Sequence, residues 1–563
     1  MTKFPWLKPA KKTDPEIPPI TPVRFGNWSN GEIFMPKTAK DELMEKTVLD
    51  RAEETSRRLG IDRREFLASS MGMATCLAVI NQINGCSSDD STQDDAGKSP
   101  TGAGMCNEPG DAAFVVPTEA TCEESDFLDS SGEFIFDIQT HSFDDGEWRE
   151  KNPGIADYLT NDLGSLQRLP IIGAGCSTAV EPEVLDCYKQ NHYADLMFTD
   201  SDTTVAVITS WPANTCTEAK PVGCGLPLSN DGMRELRDWV NNRALSQRVV
   251  NQIQVMPNDN WPLQKEIMTM AYEDPDFRAV SWKCYPAWKS DSYRPNGLPS
   301  GYFMNDEIGQ AFIQHGLDLC VPNFAIHKGL SIPGFDVEHN QSIDIGPAAK
   351  MFPDANFIVY HSSINAGCGA DVMAGQTAPD CSEAVPYDPD DPQPRGLNQL
   401  IRSMQDNDIG PNENVYGELG TAWQSVMTDT SAAQHFIGKL LLYIGEDNIC
   451  WGTDSILVGS PQLQITQMRS FQITQQYQEM YGYPALTPER KAKLFGLNAA
   501  RIFRVDPDLE RCNADASMFA GVKRTMDGEL GPRRWTVKPP LGPRTRREYM
   551  QLARMKMAKA VPI

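Results

Sequence analysis

The stretch Phe134-Ile135-Phe136-Asp137-Ile138-Gln139-Thr140-His141 alternates with a period of two. Read as a strand, it places Phe134, Phe136 and Ile138 on one face and Asp137, Gln139 and His141 on the other. A buried face seldom carries three polar, metal-competent groups without using them. In a parallel barrel such groups converge at the C-terminal strand ends.

Seven further apolar runs follow, at Thr203–Thr209, Asn251–Pro257, Phe277–Pro286, Pro322–His327, Asn356–His361, Val415–Gly420 and Asn448–Asp454. Helical patterns lie between most of them, at Asp231–Gln247, Pro262–Tyr272, Asp306–Gly316, Gly396–Gln405 and Ser431–Ile444. Strand-helix alternation of this kind predicts an α/β fold, a distorted (β/α)8 TIM-like barrel. No internal repeat of fixed period is present. The long connections 142–202 and 362–396 are expected to wall a pocket.

Four predicted strands end on a group able to bind a metal or move a proton: His141, His327, His361 and Asp454. The chain has 7 histidines, and three of them sit at these ends. Lys283 in the fourth strand and Glu418 in the seventh face the same rim, Lys283 as an interior ion-pairing lysine and Glu418 as its partner. His339 follows the fifth strand and is a candidate for the mouth, whereas His192, His315 and His435 fall in helical patterns and read as structural. Imidazole and carboxylate together suit a divalent ion, zinc first. Such an ion lowers the pKa of a bound water toward about 7. A neighbouring carboxylate can then move that water's proton.

Residues 134–505 resemble the amidohydrolase superfamily, in the branch that includes aminocarboxymuconate-semialdehyde decarboxylase. The resemblance is carried by Asp137-Ile-Gln-Thr-His141, Ile326-His327-Lys328-Gly329, Val359-Tyr360-His361 and Trp451-Gly452-Thr453-Asp454-Ser455, with the closing Asn498-Ala499-Ala500-Arg501. It implies His141 and His327 as metal ligands and Asp454 as ligand or general base. His361 is implied beside the ion, as ligand or as the group that polarises the substrate. Lys283 falls where some members hold a carboxylated lysine. Gln139 stands where the family's first strand usually has a histidine, so it is either a weak ligand or a second hydrogen-bonding layer. The activity implied is a metal-dependent hydrolase acting on a small molecule. The alternatives are a non-oxidative decarboxylase, for which Lys328 and Arg294 are candidate carboxylate clamps, and a metal-free lactonase or binding barrel.

The flanking segments read differently. Residues 1–61 are a Pro-rich, then charged extension, and 62–88 resemble a twin-arginine export signal built on Arg63-Arg64 and an apolar run. Cys86 lies in a loose lipobox, which would add a membrane anchor. Residues 89–130 read as a linker, 131–505 as the barrel and 506–563 as a basic tail carrying Arg533, Arg534, Arg544, Arg546, Arg547, Lys556 and Lys559. The tail is read as a strap over the acidic body, or else as a contact with lipid headgroups or with a second subunit of a homo-oligomer. Export implies a periplasmic or envelope location. There the cysteine pairs 106/122, 176/187, 216/224 and 368/381 would be loop staples. A net charge of −25 argues against nucleic acid as a partner.

Overall fold

A computed structural model of the chain describes residues 21–23, 25, 38–60, 62–67, 70–84, 133–163, 184–218, 221–277, 279–290, 297–332, 334–365, 382–457 and 459–523. Nine strands run in chain order: β1 Phe136–His141, β2 Val205–Thr209, β3 Val249–Asn251, β4 Ile253–Gln254, β5 Trp282–Cys284, β6 Asn323–His327, β7 Asn356–Tyr360, β8 Val415–Glu418 and β9 Ile449–Cys450. Every pairing is parallel. They form one sheet of three strands, β1-β2-β3, and one of six, β4 through β9 in sequence order. Each predicted run contains a strand, but most strands are shorter than the apolar pattern suggests.

The two sheets meet at both ends. Gln252 alone separates β3 from β4, and its Nε2 donates to Ser281 Oγ at 2.7 Å. Beyond β9 the chain runs along β1: Ile138 N–H donates to Trp451 O at 3.0 Å, Asp454 N–H to Gln139 O at 2.9 Å and His141 N–H to Ser455 O at 2.5 Å.

Helices follow the strands at Asn230–Ala244, Trp261–Glu273, Glu307–Asp318, Gly396–Gln405 and Thr430–Lys439. Their starts have local causes. Ser229 accepts from Gly232 N–H, and Asp429 accepts from the amides of Ser431 and Ala432, satisfying donors that the first turn leaves open. Outward residues of the strands, such as Trp282, Phe324, Ile326, Phe357 and Val359, share one core with the last four of these helices, while Asn230–Ala244 packs with Ala206, Ile208 and Val249 in a separate one. Phe136, Ile138, Ala325, Ile358, Tyr416 and Cys450 form another, reached by Phe503 of the helix Asn498–Phe503. Asn498 explains its motif: its amide donates to the carbonyls of Glu446 at 2.9 Å and Ile449 at 2.8 Å, tying that helix to the start of β9.

The strict alternation predicted for β1 does not hold throughout. Its register against β2 shifts between Asp137 and Thr140, a bulge that re-aims the residues after it. Phe136 and Ile138 therefore pack low in the sheet interior, while Gln139 and His141 reach the residues at the strand ends.

The N-terminal helices Ala39–Leu59, Arg63–Leu67 and Ser70–Asn84 belong to the main core, with Met44, Val48, Phe66, Leu67, Met73, Leu77 and Ile80 buried in it. Thr38 and Asp41 close a capping box on the first. Arg63 pairs with Glu53 at 3.0 Å, and Lys40 with Asp429 at 3.1 Å. Among the described residues no helix is long and apolar enough to cross a membrane. Cys86 and the linker lie outside the described residues.

Cys216 and Cys224 are joined in a disulfide, as the spacing predicts. Cys187 is also disulfide-bonded, whereas Cys176 and the pairs 106/122 and 368/381 lie outside the described residues. Of the tail 506–563, residues 506–523 are described and include the helix Pro507–Ala516, and Lys523 Nζ donates to Asp202 Oδ1 at 2.7 Å and to Ser201 O at 2.6 Å.

Candidate active site

The strand ends bring His141, His327, His361 and Asp454 together, all of them buried. Asp454 is the hub of one half. Its Oδ1 lies 2.6 Å from His141 Nε2 and accepts from Gln139 Nε2 at 3.0 Å, while its Oδ2 accepts from Thr421 Oγ1 at 2.6 Å. A carboxylate only accepts, so His141 must present an N–H through Nε2 and Gln139 its amide nitrogen. His141 Nδ1 and Gln139 Oε1 are buried with no hydrogen-bond partner, and His141 Nε2 meets Asp454 as a close ion-pair contact and not as a well-aligned hydrogen bond. Burial alone would raise Asp454, but the imidazoles of His141 and His361 and the bonds from His141 and Thr421 outweigh it and hold the group well below the usual carboxylate range.

The other half is a pair of imidazoles. His361 Nδ1 lies 2.8 Å from Gly420 O, and His327 Nε2 lies 2.6 Å from Leu330 O. Carbonyls only accept, so both of those nitrogens carry hydrogen. The remaining two, His361 Nε2 and His327 Nδ1, face each other at 3.1 Å. Burial and neighbouring positive charge push His327 well below its ordinary value. Burial likewise takes His361 down to about 4, against the pull of Asp454. Both rings are therefore neutral at pH 7, and two bare lone pairs point at one another.

Glu418 brackets His361. Its Oε2 accepts from His361 N–H at 2.8 Å and its Oε1 from Gly420 N–H at 2.5 Å, so it fixes both the backbone of His361 and the loop whose carbonyl holds the ring. Burial lifts Glu418 to about 8. Lys283 is buried with its Nζ 3.5 Å from the Tyr360 ring and 4.6 Å from the Tyr285 ring, and its charge acts on His327, His361 and Glu418. Asp137 sits beneath: it accepts from Thr453 N–H and Oγ1 and from Gln139 N–H, pinning β1 to the Trp451–Asp454 segment.

Backbone strain marks the same place. His361, Ser362, Ser363, Thr421 and Asp454 have φ of 62°, 47°, 60°, 54° and 62°. Residues with side chains seldom adopt this region, and such outliers gather where a site over-determines the chain.

Two candidates do not join this cluster. His339 is paired with Asp336 at 3.0 Å and packs at a tilt against Phe303, with ring centroids 4.5 Å apart, so it buttresses a loop. Lys328 is not a free clamp: its Nζ is held by Asp344 at 2.9 Å and by His339 O at 2.8 Å. Arg294 lies outside the described residues. Sequence reasoning missed Thr421 and the Gly420 carbonyl, whose only signal is their place just past Glu418 at the end of a predicted strand.

Among the described residues, no three His, Cys, Asp or Glu side chains form a ready-made metal cage. The donor chemistry nonetheless fits a divalent ion: two neutral imidazoles with facing lone pairs lie beside an anionic carboxylate.

No protein-family model matches the sequence, and a search of curated proteins found no match. Among solved structures, 21 chains match. One is a 2,6-dihydroxybenzoate decarboxylase complexed with 2,6-dihydroxybenzoate, 13% identical over 66% of this chain and 99% of that one, with a TM-score of 0.38. A second is a dihydroxybenzoic acid decarboxylase from a Polaromonas species with bound manganese and the inhibitor 2-nitroresorcinol, at 12%, 66%, 97% and 0.38. A third is an amidohydrolase from Burkholderia multivorans with bound zinc, at 12%, 66%, 100% and 0.27.

Proposed function

We propose that this protein is a metal-dependent enzyme of the hydrolase type, acting on a small molecule at the C-terminal ends of eight parallel strands, with β3 and β4 counted as one, that together make a distorted barrel. The observation that carries the reading is the meeting of His327 Nδ1 and His361 Nε2 at 3.1 Å, each with its other nitrogen committed to a carbonyl. Two bare lone pairs at that distance repel, and a divalent cation turns the repulsion into ligation. When bound, the ion would supply Lewis acidity and a water of lowered pKa.

The remaining work falls to protein groups. Asp454 stays ionised and lies 2.6 Å from His141 Nε2, close enough to orient that ring. This differs from a general-base role for Asp454, since a carboxylate so far below neutral pH is a poor proton acceptor. Elemental analysis of purified protein, with zinc and manganese added back after chelation, tests the reading. Asp454→Asn is expected to fold and to lose activity by at least about 100-fold. A metal-free protein with undiminished turnover would overturn the metal assignment.

A second chemistry, non-oxidative decarboxylation, is favoured by one specific observation: the Lys283 ammonium lies buried beside both histidines, where a substrate carboxylate could meet it. Carbon dioxide release from aromatic and unsaturated acids, set against cleavage of esters, lactones and amides, separates the two reactions. Export to the cell envelope is part of the same proposal, supported by the Cys216–Cys224 disulfide. Recognition of Arg63-Arg64 by an export receptor would require release of the helix Ser70–Asn84 from the core in which its apolar residues are buried.

A further inference from the structure

We propose that a groove on the outer flank of the fold, between the loop 337–343 and the helix Gly396–Gln405, binds a small organic acid, and that its occupancy reaches the two loops that follow His327 and His361. This site is separate from the strand-end cluster and stands whether or not that cluster holds an ion.

The helix decides where the groove lies. Leu397, Leu400, Ile401 and Met404 are buried in the core that the strands share. Gln399, Arg402, Ser403 and Asp406 recur at helical spacing on the opposite face, and that face lines the groove. The groove therefore lies on the side of the helix away from the strands, and none of His141, His327, His361 and Asp454 lines it. Its volume of about 600 Å³ falls within the roughly 300–1,000 Å³ usual for small-ligand sites.

The lining chooses the ligand. Two arginines, Arg395 and Arg402, meet one carboxylate, Asp406, in a chain whose net charge is −25. Arg402 is held by neutral oxygens: Nε donates to Tyr387 Oη at 3.0 Å, and Nη2 donates to the carbonyl of Pro389 and, at 3.4 Å, to that of Asp391. Among the described residues no carboxylate is hydrogen-bonded to it, and the charges of Asp391 and Asp406 act on it only through space. Its Nη1 keeps two donors. One turn back along the helix, Gln399 Nε2 donates to Gln341 Oε1 at 3.0 Å, which leaves Nε2 of Gln341 as a donor. A guanidinium and an amide N–H on one wall suit an oxyanion, and a planar carboxylate best. Val337 and Ile343 line the same groove, 42% and 47% exposed, and offer apolar surface to the rest of the molecule. The ligand class is a carboxylate on a compact apolar body, of about the size of benzoate.

The neighbours of Gln341 carry the coupling. Asn340, before it, brackets Gly329: Gly329 N–H donates to Asn340 O at 2.9 Å, and Asn340 Nδ2 donates to Gly329 O at 2.6 Å. The next residue, Leu330, supplies the carbonyl that orients the His327 ring. Ser342, after Gln341, donates its N–H to Gln399 Oε1 at 3.0 Å and accepts from Ser363 Oγ at 2.9 Å, two residues past His361. The two loops also touch backbone to backbone, since a Cβ on Gly329 would lie 2.4 Å from Ser363 C. An acid held between Gln341 and Arg402 thus pulls on the one segment, 340–342, that is bonded to both loops.

The test is calorimetric titration of the full-length protein with benzoate, paired with hydrogen–deuterium exchange read by mass spectrometry. Wild type is expected to bind benzoate with protection in 337–343 and 395–407 and altered exchange in 328–331 and 361–364. Arg402→Gln should weaken binding by at least about tenfold, the loss of a hydrogen bond to a charged group. Arg402 also holds the segment Tyr387–Asp391, so Ile343→Glu serves as a second variant that leaves those bonds in place. It sets a like charge beside the carboxylate and should weaken binding by at least about threefold. Circular dichroism checks that both variants are folded. Protection confined to 136–141 and 448–455, with both variants binding as wild type does, would put the acid in the barrel mouth and overturn the proposal. No binding would overturn it as well. Inorganic phosphate binding as tightly as benzoate would overturn the organic-acid assignment, and unchanged exchange in 328–331 and 361–364 would overturn the coupling. None of these outcomes bears on the metal reading.

Discussion

Gly452 is the position where a single methyl group should do the most damage to the site. A Cβ there would fall inside the envelope of Glu418 Oε1 and would lie 2.7 Å from Glu418 Cδ and 3.2 Å from its Cγ. The whole carboxylate must therefore move. It cannot do so while still accepting from His361 N–H at 2.8 Å and Gly420 N–H at 2.5 Å. Lifted to about 8, Glu418 is largely neutral at pH 7, so each of these bonds contributes roughly 0.5–1.5 kcal/mol, and a buried donor left unpaired costs about 1–3 kcal/mol. Losing one bond and straining the other puts Gly452→Ala at about 1.5–4.5 kcal/mol. Gly420 would shift with the carboxylate, and its carbonyl is what orients the His361 ring. The assay is urea unfolding of Gly452→Ala, Glu418→Ala and the double variant. If the collision is the cause, the methyl costs little once the carboxylate is gone, and the cycle shows a coupling of at least about 1.5 kcal/mol. Additive effects, or a Gly452→Ala variant within about 0.5 kcal/mol of wild type, would refute the reasoning.

Two other outcomes test the fold away from the site. Leu245 ends the helix Asn230–Ala244 at φ 54° and is 89% exposed, so Leu245→Gly should raise stability by roughly 1 kcal/mol in thermal or urea unfolding, the cost of a side chain in the left-handed region. Lys439 is buried, with its Nζ donating to Ser382 O and Asn398 Oδ1, and burial lowers it from 10.5 to about 8. Between those values the unfolded chain holds more protons than the folded one, so this lysine contributes stability that rises with pH across the window. The urea midpoint of wild type relative to Lys439→Met should therefore increase from pH 7.5 to 9.5, and a constant difference would refute the assignment.

The alternation of apolar strands and amphipathic helices was legible because each element obeys its own period, and the helix Gly396–Gln405 falls where its pattern puts it. Strand lengths were less legible. The run Asn448–Asp454 is a regular strand only at Ile449–Cys450; beyond it the chain stays bonded to β1 at Trp451, Asp454 and Ser455 but leaves strand geometry, with Asp454 at a positive φ. The metal-competent residues could be read as strand-end groups, but their division into two halves could not. That division depends on which ring nitrogen meets which carbonyl, and both carbonyls, of Leu330 and Gly420, belong to loops that carry no side-chain signal. The bulge in β1 was equally silent: nothing in its composition departs from a plain alternating strand. Lys328 misled for a related reason, since its partner Asp344 lies sixteen residues on and a lone lysine in a motif does not announce its counter-ion.

Thr421 carries the last argument. It is β-branched and held at φ 54°, a conformation that costs about 1–3 kcal/mol for such a residue, so local stability alone would favour glycine there. The structure supplies the reason for threonine: Oγ1 donates to Asp454 Oδ2 at 2.6 Å. Thr421→Ala would keep the strain and lose a bond to a charged group, a cost of roughly 1.5–3 kcal/mol. Thr421→Gly would lose the same bond but relax the backbone, offset by about 0.5–1 kcal/mol of extra chain entropy in the unfolded state. Glycine should therefore be the more stable replacement by about 0.5–2 kcal/mol, the reverse of the usual order, while both variants lose the contact that holds Asp454. Unfolding curves for the pair decide it. If alanine is as stable as glycine at 421, the backbone there is not strained, and a threonine kept for function against its own conformational preference is the wrong account of this rim.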